Sequence, residues 1–247
     1  MRQTAAAFKN TLIFLMLTCC LFFGGSCGLE EVIVVDEPTV TYNNPLYSDS
    51  NYANFYCEFL TNESNQLESF IGTEVYYKIY NNSKTLDDER SSITSVNTSS
   101  NTGAAATRMI DSYSYQQLGS SPQNPDSIFI PSSGSNRKIY IRPVDNGIGD
   151  DLKADIRIND ISVGRIPFRY SNDKSFDFFD NDDSDSSDKV DVEPVDGDLD
   201  YKRSSTATDS EKYFIQFFAV GVAFDLNSLT RSYSPVLDLG SIPIIKD

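Results

Sequence analysis

Tyr213-Phe214-Ile215-Gln216-Phe217-Phe218-Ala219-Val220-Gly221-Val222-Ala223-Phe224 is the stretch on which the reading of the fold turns. Only Gln216 and Gly221 interrupt its apolar run, the pattern of a strand buried on both faces at the centre of a sheet. Residues 226–231 turn the chain, and 233–240 read as a closing strand, with Pro235 admissible near its start or on an edge. The second strong strand is 73–80. Val75, Tyr77 and Ile79 fall on one side, and Tyr76, Lys78 and Tyr80 on the other. Asn81-Asn82-Ser83 ends it with turn residues. The Tyr76/Tyr80 side has two readings, an exposed binding face or a second buried face of the sheet.

Working outward, Phe55, Cys57 and Phe59 alternate with Tyr56 and Glu58, the period of a strand with one buried face. Cys57 on that apolar set reads as a small buried hydrophobe. Further short strands are expected at 39–42, 128–130, 138–142, 155–158 and 164–170, separated by Gly, Pro, Asn and Asp. A capping-box pattern over 85–88 opens a short helix carrying Leu86 and Ile93. The spacing of Ala105, Met109 and Tyr113 favours another helix within 104–118. Together these predict a mainly β chain: an antiparallel β-sandwich with long insertions and one or two short helices, forming one domain over 39–247.

Charge and missing residue types narrow the chemistry. The 247 residues contain no His and no Trp, and only four Cys. Without His there is no Ser-His-Asp or Cys-His catalysis, no His-ligated zinc and no His general base. Residues 173–200 hold 12 acidic side chains against Lys174 and Lys189. Like-charge repulsion predicts a mobile loop over about 173–210. Within it, Asp196, Asp198 and Asp200 place carboxylates at alternate positions, as hard cations prefer, and are the calcium candidates. The run including Asp180, Asp182, Asp183 and Asp185 is similar. Neither completes an EF-hand: counting from Asp196, the sixth residue is Tyr201 and the twelfth Ala207.

The N-terminus carries an address. Arg2 and Lys9 precede an apolar run over 12–23, and Gly24-Gly25-Ser26 leads into Cys27, the parts of a secretory signal. The run is shorter than the ~20 residues a transmembrane helix needs. Gly24-Gly25-Ser26-Cys27 resembles the lipobox of bacterial lipoproteins of the spirochaete type, with Gly24 where Leu is commonest. The resemblance implies removal of residues 1–26, lipidation of Cys27, a tether over 27–38 and a place in the cell envelope. The remaining chain would hold 18 basic against 36 acidic residues, net −18, which argues against nucleic acid as a partner. Lipidated Cys27 cannot pair with Cys57, so no disulfide within the chain is expected.

Two further pieces, 72–80 and 213–219 followed by Ser234-Pro235-Val236, are similar to the third and the last two strands of fibronectin type III and immunoglobulin-like domains. Those domains have a core Trp that this chain lacks. The resemblance implies a role in presenting surfaces to partners. The functional expectation is therefore a lipid-anchored protein with a non-catalytic binding, adhesion or envelope-structural role, its partners the bilayer and a protein or glycan ligand. A calcium-dependent binding module is the alternative, and a carboxylate-based hydrolase the third reading.

Overall fold

The computed structural model describes residues 33–64, 66–98, 100–119, 128–145, 152–169, 175–178, 193–206, 212–226 and 228–245. The signal, the lipobox, Cys27 and Asp180 to Asp185 lie outside the described residues. β10 (Lys212–Asp225) occupies the centre of the larger sheet, as its mostly apolar character demands. One side pairs antiparallel with β3 (Phe70–Tyr80), from Phe214 opposite Tyr80 to Ala223 opposite Phe70. The other side pairs with β11 (Thr230–Tyr233) and then β12 (Leu237–Ile245), two halves of one return arm. Between them Ser234 Oγ accepts from Gly221 N (2.8 Å) and Ser234 N donates to Gly221 O (3.0 Å), so the ladder is carried across the break. The arm runs past Gly240, where the sequence reading stopped it. Gly240 forms a bulge there with φ +87°, and a Cβ would stand 2.1 Å from Asn44 Oδ1.

Three short pieces line the free edge of β3. β5 (Ile130–Pro131) pairs at its start, β4 (Gln116–Gln117) at its middle, and β9 (Tyr201–Lys202) runs parallel to its end. They cover an edge that would otherwise present unpaired backbone. The smaller sheet is antiparallel throughout, in the order β1 (Val40–Asn43), β2 (Cys57–Leu60), β6 (Lys138–Arg142), β7 (Asp155–Ile158), β8 (Ile161–Ser162). The strand expected at 164–170 is corrected. The return from β7 is immediate, through Asn159 and Asp160 with φ of 51° and 65°, and 164–169 holds only a bridge from Phe168 to Gly119. Asn and Asp tolerate that left-handed backbone, which two-residue hairpin turns require.

The two sheets enclose the main core. Cys57, Phe59, Ile139, Ile141 and Ile156 from the smaller sheet face Val75, Tyr77, Ile79, Ile215, Phe217 and Leu239 from the larger. This is the mainly β, antiparallel sandwich that the strand pattern predicted. The far side of the larger sheet is covered as well. α1 (Ser83–Thr94) and α2 (Ala104–Thr107), the latter widening into a looser turn over Arg108–Ser112, lay Leu86, Ile93, Ala105 and Met109 against Tyr76, Tyr80, Phe214 and Phe218. The open question over Tyr76 and Tyr80 is thereby decided for a second buried face. α1 begins earlier than the capping pattern suggested, because Asn82 Oδ1 accepts from Thr85 N (3.0 Å) and caps it. The described part of the expected tether, 33–38, already lies on the body, with Val35 buried against Phe70 and Ala223.

Candidate functional site

The three sequence-derived calcium candidates fall in a segment fastened to the end of β3. Ile79 N donates to Asp200 O (2.8 Å), and beyond β9 Ser204 N donates to Asn81 Oδ1 (2.7 Å). Arg169, fully buried, reaches Asp200 with both arms of its guanidinium: Nε donates to Oδ2 and Nη2 to Oδ1, each at 2.7 Å. The same Nη2 donates to Asp198 Oδ2 (2.6 Å), and the Tyr77 hydroxyl donates to Asp200 Oδ2 (2.7 Å). A planar fork meeting a carboxylate in two places is among the strongest ion-pair geometries. Burial alone would weaken the hold of Arg169 on its proton, but the bonds it donates to Asp200 and Asp198 outweigh burial and raise its pKa above its ordinary value. Asp196 points elsewhere and pairs with Arg203 at the surface.

The guanidinium thus occupies the position between Asp198 and Asp200 where a cation would sit, and Asp196 does not join them. Among the described residues no three Asp, Glu, Cys or His side chains come together as a metal site would need. Within the span expected to be a mobile loop over about 173–210, the described parts, 175–178 and 193–206, make contacts with the body. Phe176 and Phe178 enter the main core, with Phe176 edge-on to Tyr77 at 5.0 Å, and 193–206 is hydrogen-bonded to β3. Counting charges concealed the aromatic anchors at one end of the segment and the compensating Arg169 outside it.

A second polar cluster lies beneath α1 and was missed as a unit. Lys78 Nζ donates to Glu89 Oε2 (3.0 Å) and to the Tyr113 carbonyl. The Tyr80 hydroxyl donates to Glu89 Oε2 (2.8 Å) and lies 3.0 Å from the Tyr115 hydroxyl. Burial lowers the Lys78 pKa, while Glu89 opposes the change. Next to Lys78 in register, Gln216 Nε2 donates to Asp238 Oδ1 (2.8 Å), which Arg90 also engages through Oδ2. The signal was present in the sequence: Lys78 and Gln216 are polar residues set into apolar strands. Closed over by α1, the cluster ties a helix to a sheet.

The outer face of the smaller sheet is different, because among the described residues no helix covers it. Tyr56 and Tyr140 stack there at 4.7 Å, Arg142 lies against Tyr56 at 5.4 Å, and Arg157 lies over Tyr140 at 4.9 Å. Arg157 Nε donates to Asp155 Oδ2 (2.7 Å), and Lys138 reaches Glu58 and Asp160. Their alternation with Ile139, Ile141 and Ile156 is the two-residue period of the strands. Tyr56, Tyr140 and Arg157 make a partly exposed row there, while Arg142 is buried and donates to the Tyr52 and Ala53 carbonyls.

No known protein family, curated protein or solved structure matches this chain. Function therefore has to be argued from these clusters and from the N-terminal segment. Two of the clusters are internal fastenings, and the third faces solvent. Cys57, buried in the main core with its thiol pKa pushed up by desolvation, belongs to the packing and is no reactive centre.

Proposed function

We propose that the protein is a lipid-anchored component of a bacterial cell envelope, tethered through acylated Cys27, whose body has a non-catalytic binding role. The observation that carries the binding role is the row of Tyr56, Tyr140 and Arg157 on the outer face of the smaller sheet, partly exposed and not covered by any described helix, with buried Arg142 bracing it from beneath through the Tyr140 hydroxyl and the Tyr52 and Ala53 carbonyls. Tyr gives contact area at low conformational cost and Arg gives directed hydrogen bonds, and both are enriched in contact surfaces. The anchor rests on the sequence of residues 1–27. Two or more acyl chains on one cysteine hold a protein firmly to a bilayer, where one chain binds marginally.

An immunoglobulin-like lineage accords with the strand order. β3, β10 and β12 lie side by side, as the third and the last two strands do in that sandwich. Domains of that architecture commonly act by presenting surfaces, though architecture alone fixes no activity.

Two measurements test the proposal. Mass spectrometry of the native protein is expected to find Cys27 N-terminal and acylated; an unprocessed or unacylated chain overturns the anchor. Capture from host-matrix and envelope extracts is expected to recover a ligand with the native chain and to lose it with Tyr140→Ala and Arg157→Ala. Equal recovery by both variants overturns the assignment of the binding face.

A further inference from the structure

Three loops meet at the end of the sandwich where the described chain begins. Asp36 N donates to Gln66 Oε1 (3.3 Å), and Gln66 Nε2 donates back to Asp36 O (3.1 Å). Asn62 Nδ2 donates to Glu37 O (3.1 Å). Phe224 N donates to Ser69 O (2.9 Å), which sets the tip of the β10–β11 hairpin beside the same loop. Four large apolar side chains project from this end. Val34 and Leu67 are half exposed, while Leu226 and Leu229 at the tip are 80% and 71% exposed. Leu229 also holds a left-handed φ of 56°. A leucine at such a position suits neither the turn nor water.

The length of chain leading to this end identifies what meets it. Cys27 is separated from Ile33 by residues 28–32 alone, a reach of at most ~22 Å when fully extended. A bilayer that holds acyl chains on Cys27 is therefore within that distance of Ile33, which packs with Phe70 and Ala223 at the Leu226/Leu229 end. The opposite end lies further away by the length of β10, ~45 Å for its 14 residues. Resting on the anchored reading above, we infer that this end docks on the bilayer, with Leu226 and Leu229 entering the boundary between headgroups and acyl chains. Asp36, Glu37, Glu68 and Asp225 belong to the same loops, and Arg231 is engaged by Glu74, so the fitting surface is zwitterionic and not anionic.

The chain has no Trp, so a single introduced Trp reports its own surroundings. The full acylated chain is reconstituted in phosphatidylcholine vesicles containing chain-brominated lipid, as Leu226→Trp, as Leu229→Trp and as Lys84→Trp. Lys84 is exposed at the start of α1, at the opposite end of β3. Both tip variants are expected to be quenched at least ~2-fold more strongly than Lys84→Trp, because only they enter the acyl boundary. Equal quenching in protein that floats with the vesicles overturns the docking and leaves the anchor standing. Failure to float removes the anchor, and this inference with it. Tip Trp shielded from bromine in a self-associated protein assigns the patch to a second copy and also overturns the docking. The two tip positions report independently, so misfolding of one variant leaves the other to decide.

Discussion

At Arg169 one side chain meets two carboxylates of an acidic turn, Asp198 and Asp200. Its guanidinium and the Asp200 carboxylate are both out of water, so each is costly without the other. Breaking a buried pair from one side costs about 3–5 kcal/mol, because the remaining charge is stranded. Arg169→Leu is accordingly expected to lower urea-unfolding stability by about that amount. Asp198→Asn is expected to leave the calcium-binding heat of the chain unchanged, since Asp198 and Asp200 already have their cation. Glu63 is a second such residue, with a testable pH signature. Burial pushes its carboxyl up, but the Ser133 N–H, the Arg137 guanidinium and the Thr61 hydroxyl outweigh burial and hold it below its ordinary 4.5. Ser133 N donates to Oε2 (2.6 Å) and Arg137 Nη2 to Oε1 (2.7 Å). A carboxyl lowered in the folded state contributes stability that is complete above 4.5 and is lost as pH falls through its folded value. Stability measured from pH 7 downward should therefore fall more steeply below 4.5 in the native chain than in Glu63→Gln.

The elements are joined by contacts that reach across layers. α1 is held by Leu86 and Ile93 in the second core and by Glu89 on Lys78. A double-mutant cycle separates the two kinds of hold. Lys78→Met or Glu89→Leu alone strands a buried charge and is expected to cost about 3–5 kcal/mol, whereas the double variant should recover most of that loss. Amide hydrogen exchange in α1 is expected to rise in each single variant and to return toward the native rate in the double. Strand identities were legible because the two-residue period of 75, 77 and 79 needs no tertiary knowledge. The 159–160 turn was obscured because Asn-Asp resembles any loop until its left-handed backbone is seen. β9 was hidden for a different reason: a two-residue parallel pairing has no period to read.

Over the whole molecule, acidic residues outnumber basic ones by 36 to 20. Self-repulsion of this size is screened as the Debye length falls from ~30 Å at 0.01 M salt to ~10 Å at 0.1 M. Tm is expected to rise over that interval, and a fall would mean that exposed ion pairs outweigh the net charge. The sequence by itself determined the β class, the central strand, the chemistries excluded by the absence of His, and the acidic excess. Each follows from residue type and local period, which the chain displays along its length. Only the tertiary structure decided that the Tyr76/Tyr80 face is buried, that Asp198 and Asp200 hold Arg169, and that four apolar side chains gather at one end. Those facts depend on which distant segments meet. Local pattern says that a face is apolar or a loop acidic, and the partner that satisfies it arrives from tens of residues away.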